Sequence, residues 1–269
     1  MASVRPVPMT GDKFRFRFSK TGTLRLLSHH DLMRCLERML RRAAVPFKLT
    51  AGFHPSPRVV FALSLPLGVV GRDEVVEIEL TESRDSDELL ASLNAQAPAG
   101  LTFTRATPVP MKATALPRRV VYRLPLPPDR VADAESAAAR LMSEEKVWVN
   151  RIHPQPKRIN IRPYFRRVAV ADGVLELDLW VTGTGSAKAE ELLRLLGVLD
   201  VQASGAVLER AAIEIHDEGL TPDAADSLPG QAEVLPLDPA IAAAMKRDEE
   251  SNQPAGADWG ASPNGPVVE

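Results

Sequence analysis

Cysteine is almost missing. The chain of 269 residues holds only Cys35, which excludes disulfide staples within the chain and any Cys-x-x-Cys metal knuckle, and fits a reducing compartment. No His-x-x-x-His pair takes the place of the missing thiols, so no metal is expected. Long apolar runs are absent as well. None approaches the ~18 residues of a membrane span, and no charged-then-apolar leader opens the chain. A cytoplasmic protein without membrane contact is the expectation. Neither a Gly-x-x-x-x-Gly-Lys-Ser/Thr loop nor a dinucleotide fingerprint occurs, and no cofactor is expected.

Net charge is small too, at −2, but the balance hides a segregation. Residues 1–60 hold twelve Lys/Arg against Asp12, Asp31 and Glu37, a net of +9, and residues 217–269 hold eleven Asp/Glu against Lys246 and Arg247, a net of −9. A basic body with an acidic tail is more informative than the sum.

The stretch from Lys13 to Gly68 organises the rest. Phe14, Phe16 and Phe18 alternate with Arg15 and Arg17, the period of a strand with aromatics on one face. After the Lys20–Thr23 turn, Ser28 stands three residues before Asp31, a helix start. On a wheel of ~100° per residue, Leu32, Cys35, Leu36, Met39 and Ala43 share one face and Arg34, Arg38 and Arg41 lie opposite, with Arg42 at the boundary. A solvated face accounts for these arginines. A phosphate-binding stripe accounts for them equally, since guanidinium forks match phosphate oxygens. Pro46 ends the helix, Phe47 to Thr50 reads as a short strand, and Gly52, Pro55 and Pro57 impose a turn before an apolar strand from Val59 to Leu67.

Further on, Val75 to Leu80 alternates as a strand, Ser83 to Ala95 reads as a helix and Leu101 to Val109 as a strand. The order strand-helix-strand-strand-helix-strand is that of a ferredoxin-like unit. After a Pro-rich linker the order recurs. The expected fold class is therefore α+β, with two tandem ferredoxin-like units at residues 13–110 and 118–216 and a disordered acidic tail at 217–269; a single larger α+β domain accounts for the pattern as well. Within that tail only Pro239 to Met245 hints at a helix; it reads as an inert solubilising tail or as a self-shielding or docking arm with Trp259 as candidate anchor.

Two other constellations bear on function. Between Lys146 and Arg167 lie Arg151, Lys157, Arg158, Arg162 and Arg166 with no acid, interleaved with Trp148, His153, Tyr164 and Phe165. Cations among flat side chains suit single-stranded or irregular RNA. Gly183 and Gly185 precede Ser186, read as the cap of a helix to Leu196, with Lys188 in its first turn. That is a candidate phosphate loop, although a plain turn accounts for it too. His29, His30 and His54 with Cys35 lack metal-ligand spacing, but an imidazole with Ser28 and Asp31 could act as general acid or base on RNA.

Residues 14–80 carry FSKTGTLRLLSHHDLMRCLERMLRRA, GFHPSPRVVFALSLPLG and EVVEIEL, in that order, and KRINIRPYF and TGTGSAKAEELL follow. In these pieces the chain resembles the uncharacterised radical SAM-linked protein family, or DUF2344 domain, out to about residue 216. It departs from that family's pattern at His30, His54, Ser56, Arg58 and 187–189. Members are fused to, or encoded beside, a cobalamin-type radical SAM protein, so the resemblance implies such a partner. One cysteine cannot hold an iron–sulfur cluster, which assigns any radical chemistry to that partner. The expectation is a non-catalytic module that binds structured RNA, ribosomal or transfer, and presents it to the radical SAM enzyme. Arg34, Arg38, Arg41, Arg58, Arg158, Arg162, Arg166 and Arg167 would contact phosphates, with Tyr164 beside them. The rivals are an RNA-cleaving or RNA-modifying enzyme built on His29 or His30, and a protein scaffold for the partner that touches no nucleic acid.

Overall fold

The computed structural model describes residues 12–53, 55–218 and 229–251. They form a mixed α+β fold in two compact units. The larger takes in the described residues up to Val147 and from Ile161 to Ala232; the smaller takes in Trp148–Asn160 and the described residues from Glu233.

In the first half of the larger unit the elements are β1 (Lys13–Lys20), α1 (His29–Arg42), β2 (Val59–Phe61), β3 (Val70–Glu79), α2 (Ser86–Gln96) and β4 (Leu101–Val109). Their strands lie in the order β4-β1-β3-β2, all antiparallel. The second half contributes β5 (Pro117–Pro125), α3 (Pro128–Ser143), β8 (Phe165–Ala171), β9 (Val174–Thr182), β10 (Gly185–Ser186), α4 (Ala189–Leu195) and β11 (Glu209–Ile215), with β6 (Trp148–Arg151) and β7 (Lys157–Asn160) in the smaller unit. Here the order is β11-β5-β9-β8, again antiparallel. A short parallel pairing of Val70 and Gly71 with Glu209 and Arg210 joins the halves into one nine-stranded sheet.

The period-two pattern of β1 explains the first core. Phe14, Phe16 and Phe18 pack under Leu32, Leu36 and Met39 of α1 and Leu89 and Leu93 of α2. The helix starts as its sequence implies, with Ser28 Oγ accepting the Asp31 N–H. The other face of β1 is not left to water. Arg15 and Arg17 are buried; Arg15 is held by Glu77 at 2.8 Å and Asp217 at 2.6 Å, Arg17 by Asp73 at 2.7 Å and by Glu218. Burial opposes the charge of Arg15, but Asp217 and Glu77 outweigh it and hold its pKa above the usual value.

Several expectations need correcting. The apolar run after Val59 forms a strand only to Phe61, because the carbonyls of Leu63 and Ser64 accept from Arg210 instead of a ladder partner. The second helix starts at Ser86, where Asp85 accepts the N–H groups of Asp87 and Glu88. Ser186 caps no helix; Gly185 and Ser186 pair back onto Thr182 and Val181. The expected unit 118–216 is interrupted by 148–160, which belongs to the smaller unit. There β12 (Val234–Pro236) adds to β7 and α5 (Pro239–Ser251) follows, so part of the segment expected to be disordered is ordered. Pro239 fits the first turn of α5, where Asp238 accepts the Ala240 N–H. Trp259 and His54 lie outside the described residues.

At the joint between the halves, Arg210 pairs with Glu74 inside the protein, both nearly without solvent access. Glu74→Gln leaves Arg210 and Lys20 buried without a carboxylate. It is expected to lower the unfolding free energy by roughly 3–5 kcal/mol in a urea titration; an unchanged midpoint would contradict this role.

Candidate functional site

A cavity of about 460 Å³ opens beside this joint, within the larger unit. One wall is the loop Leu63–Val69 between β2 and β3, the other is Ser186–Glu190 with Leu193 of α4, and Tyr122 and Arg210 lie at the base. Arg210 builds the first wall. Its guanidinium is 0% exposed and donates to Leu63 O and Ser64 O, each at 3.0 Å, and to both oxygens of Glu74. Burial works against that charge, yet Glu74 outweighs it and holds the pKa above the usual arginine value. Gly71 makes room for the pair, since a Cβ there would lie 2.5 Å from Glu74 Cγ. Lys20 is 1% exposed, and its ammonium donates to Leu27 O at 2.8 Å. Burial lowers its pKa, the nearby Glu74 opposes that, and Arg210 adds to it. Glu74 therefore bonds Arg210 and acts on Lys20 only through its charge.

The second wall rests on Tyr164. Its ring is buried, its hydroxyl has no hydrogen-bond partner among the described residues, and it would meet a Cβ on Gly185 at 3.0 Å. Gly185 also has φ +150°, which a side chain would oppose. Of the candidate phosphate-loop residues, Ser186 and Lys188 reach the cavity and Gly183 does not line it. Tyr164 is therefore a packing residue rather than an exposed stacking face.

The expected RNA-contacting arginines fall into three groups. On α1, Arg34 and Arg41 are 76% and 57% exposed in their side chains and, among the described residues, form ion pairs only with Asp31 at 3.6 Å and Glu37 at 2.8 Å of their own helix. Arg38 is exposed and makes no ion pair among the described residues. Arg41 also stacks over Phe47, 5.4 Å from its ring centre. Arg58 and Lys48 reach Glu79 at 3.5 and 3.9 Å, and Phe53 in the intervening loop is 100% exposed. In the second cluster Arg162 donates to the carbonyls of Met142 and Glu144 at the end of α3, Arg166 binds Asp178 at 2.6 Å, and Arg167 faces Glu176 at 3.4 Å. Arg158 belongs to the smaller unit, where it stacks on Trp148 at 5.1 Å.

The four weak catalytic candidates sit together at the start of α1 but are differently occupied. Ser28 and Asp31 bond each other at 2.7 Å as a cap. His30 is exposed, and His29 lies edge-on against Phe61 with ring centres 5.0 Å apart. Burial, then the charges of His30 and Lys20, push the His29 pKa below its usual value. Among the described residues no group of three His, Cys, Asp or Glu could hold a metal ion, and no helix is long and apolar enough to cross a membrane.

A family model described as an uncharacterised protein conserved in bacteria, DUF2344, matches residues 13–195. The chain belongs to that family. No curated protein matches this DUF2344 chain. Among solved structures it is similar to an unknown protein from Galdieria sulphuraria, at 8% identity with a TM-score of 0.25, over 77% of this chain and 99% of that one. A likeness so distant carries no argument about the DUF2344 site.

Lys20, Glu74 and Arg210 escaped the reading of the sequence. Arg210 and Glu74 are 136 residues apart and each sits in an ordinary alternating strand. The one available signal was a lysine between an aromatic strand and a glycine turn.

For His29 the sign follows from its lowered pKa. Between the folded value and the ordinary 6.5 the unfolded chain binds more protons. Stability is therefore expected to fall as pH drops through that window and to level off below it. His29→Gln should flatten that part of the profile in thermal melts from pH 7 to about pH 5; an equal slope in both proteins would rule the effect out.

Proposed function

We propose that this DUF2344 protein is a non-catalytic RNA-binding module that works with a cobalamin-type radical SAM enzyme in the cytoplasm. Each half of the larger unit is read as a ferredoxin-like unit, which the strand orders β4-β1-β3-β2 and β11-β5-β9-β8 support. The RNA face in this reading is α1 with the loop that follows it. The observation that carries it is the pairing of solvent-exposed guanidinium groups on α1 with the wholly exposed Phe53 on the adjoining loop. Phe47, under Arg41, links the two. Exposed cations release counterions on meeting phosphates, and an exposed ring offers a base a surface to stack on.

The second cluster contributes less than its sequence implies. Arg162, Arg166 and Arg167 already hold carbonyls or carboxylates, so a phosphate would have to displace those partners. The partner enzyme enters through the family resemblance, which supplies the reaction that this chain, with one cysteine, has no cluster to perform.

Binding of cellular RNA, followed against salt, tests the reading. The affinity is expected to fall steeply with salt. Reversing Arg34, Arg38 and Arg41 to Glu should remove at least roughly two from the log–log slope, given ~0.7 per single-strand phosphate contact. Phe53→Ala should weaken binding by about tenfold, as loss of one stacked base does. A slope near zero would overturn the RNA reading in favour of a protein scaffold, and discrete products formed by the protein alone, and lost in His29→Ala, His30→Ala, would favour an enzyme.

A further inference from the structure

A second cavity, of about 360 Å³, lies within the larger unit on the arginine face of β1. Its volume falls inside the ~300–1,000 Å³ range of small-molecule sites. None of its lining residues comes from α1 or the loop that follows. Val121 of β5 and Ala212 of β11 form its floor and stand opposite each other in the ladder. Arg17, Arg105 and Arg119 line it together with Asp73, Glu214 and Glu218.

The carboxylates are already committed. Asp73 and Glu218 hold Arg17, and Glu214 lies 3.0 Å from Arg118 and 3.4 Å from Arg119. The arginines are not all committed. Arg105 is exposed and makes no ion pair among the described residues. Arg17 is only 5% exposed, and its Nε is buried with no hydrogen-bond partner among the described residues. A buried donor left in that state is costly. Arg17 and Arg105 stand directly opposite each other on β1 and β4, so their side chains leave the same face of the sheet. The Cα atoms of such a pair are ~4.5–5.5 Å apart, close enough for one small acceptor to serve both.

The lining also selects the acceptor. A carboxylate has two oxygens and a single charge, so one oxygen can accept from Arg17 Nε and the other from the guanidinium fork of Arg105. A phosphate group carries close to two charges at neutral pH. Its second charge would meet Asp73, Glu214 and Glu218. The short side chains of the floor suit an apolar body. We propose that this cavity binds a small aliphatic monocarboxylate, with its carboxylate between Arg17 and Arg105 and its alkyl group on Val121 and Ala212.

NMR titration of the full chain with sodium propionate over the millimolar range tests this, beside propionamide and inorganic phosphate at matched ionic strength. The backbone amide signals of Val121 and Ala212 are expected to shift saturably with propionate, not with propionamide, and at higher concentration with phosphate. Arg105→Gln should weaken propionate by about tenfold, the loss of one charged hydrogen bond. Its melting temperature should not change, because the group removed is exposed and makes no ion pair among the described residues. Ala212→Leu should fill the floor and abolish the shift at Val121. An equal response to propionamide, or phosphate binding as tightly as propionate, would overturn the choice of a carboxylate. The absence of a saturable shift, or an unaltered affinity in Arg105→Gln, would overturn the site. The variant with Arg34, Arg38 and Arg41 reversed to Glu should keep its propionate binding, so this site and the RNA face fail separately.

Discussion

Arg210 sits where β11 meets β3, and its guanidinium has no route to water. A cation in that position is stable only while Glu74 and two loop carbonyls satisfy it. That requirement sets much of the surrounding structure. It fixes the loop after β2, forbids a side chain at Gly71 and draws the short parallel seam together. It also leaves Lys20 in a neighbourhood short of negative charge. A hydrophobic joint of the same size could hold the halves as firmly. It would not orient carbonyls or create an electrostatic bias beside a cavity.

The opposite face of the sheet solves a similar problem in another way. Arginines on β1 that would serve a polyanion if exposed are instead matched by Glu77, Asp73, Asp217 and Glu218. Those last two acids come at the end of the folded second half. They act as local counterions, whatever the residues beyond them do. The surplus positive charge at residues 1–60 therefore shows on α1 and its loop rather than on the sheet.

Elements with a short-range cause were legible in the sequence. The phenylalanines of β1, the apolar stripe of α1 and the Ser28 cap need only period and spacing to be read. The order of strands and helices in the first half followed from the same signals. What was not legible depends on partners far along the chain. Arg166 looked free because its carboxylate, Asp178, stands on another strand, and Tyr164 looked like a stacking face because nothing local says it is covered. Glycines before a helical pattern suggested a cap at Ser186. Gly185 and Ser186 instead pair back onto the preceding strand, with the Tyr164 hydroxyl against Gly185. The exposure of the α1 arginines, whose ion pairs are one turn away, was legible because it depends only on the helix's own period.

The place where the smaller unit leaves the larger one has a consequence of its own. The N–H of Ile161 donates to the carbonyl of Val147 at 2.7 Å, so the chain departs and returns through a closed doorway. Within Trp148–Asn160, β7 is held by β12 and Ile159 is buried, but the turn between Arg151 and Lys157 can vary in length without moving the ends that the larger unit holds. Evolution, or an engineer, has at that turn a place to add residues while the paired strands stay as they are.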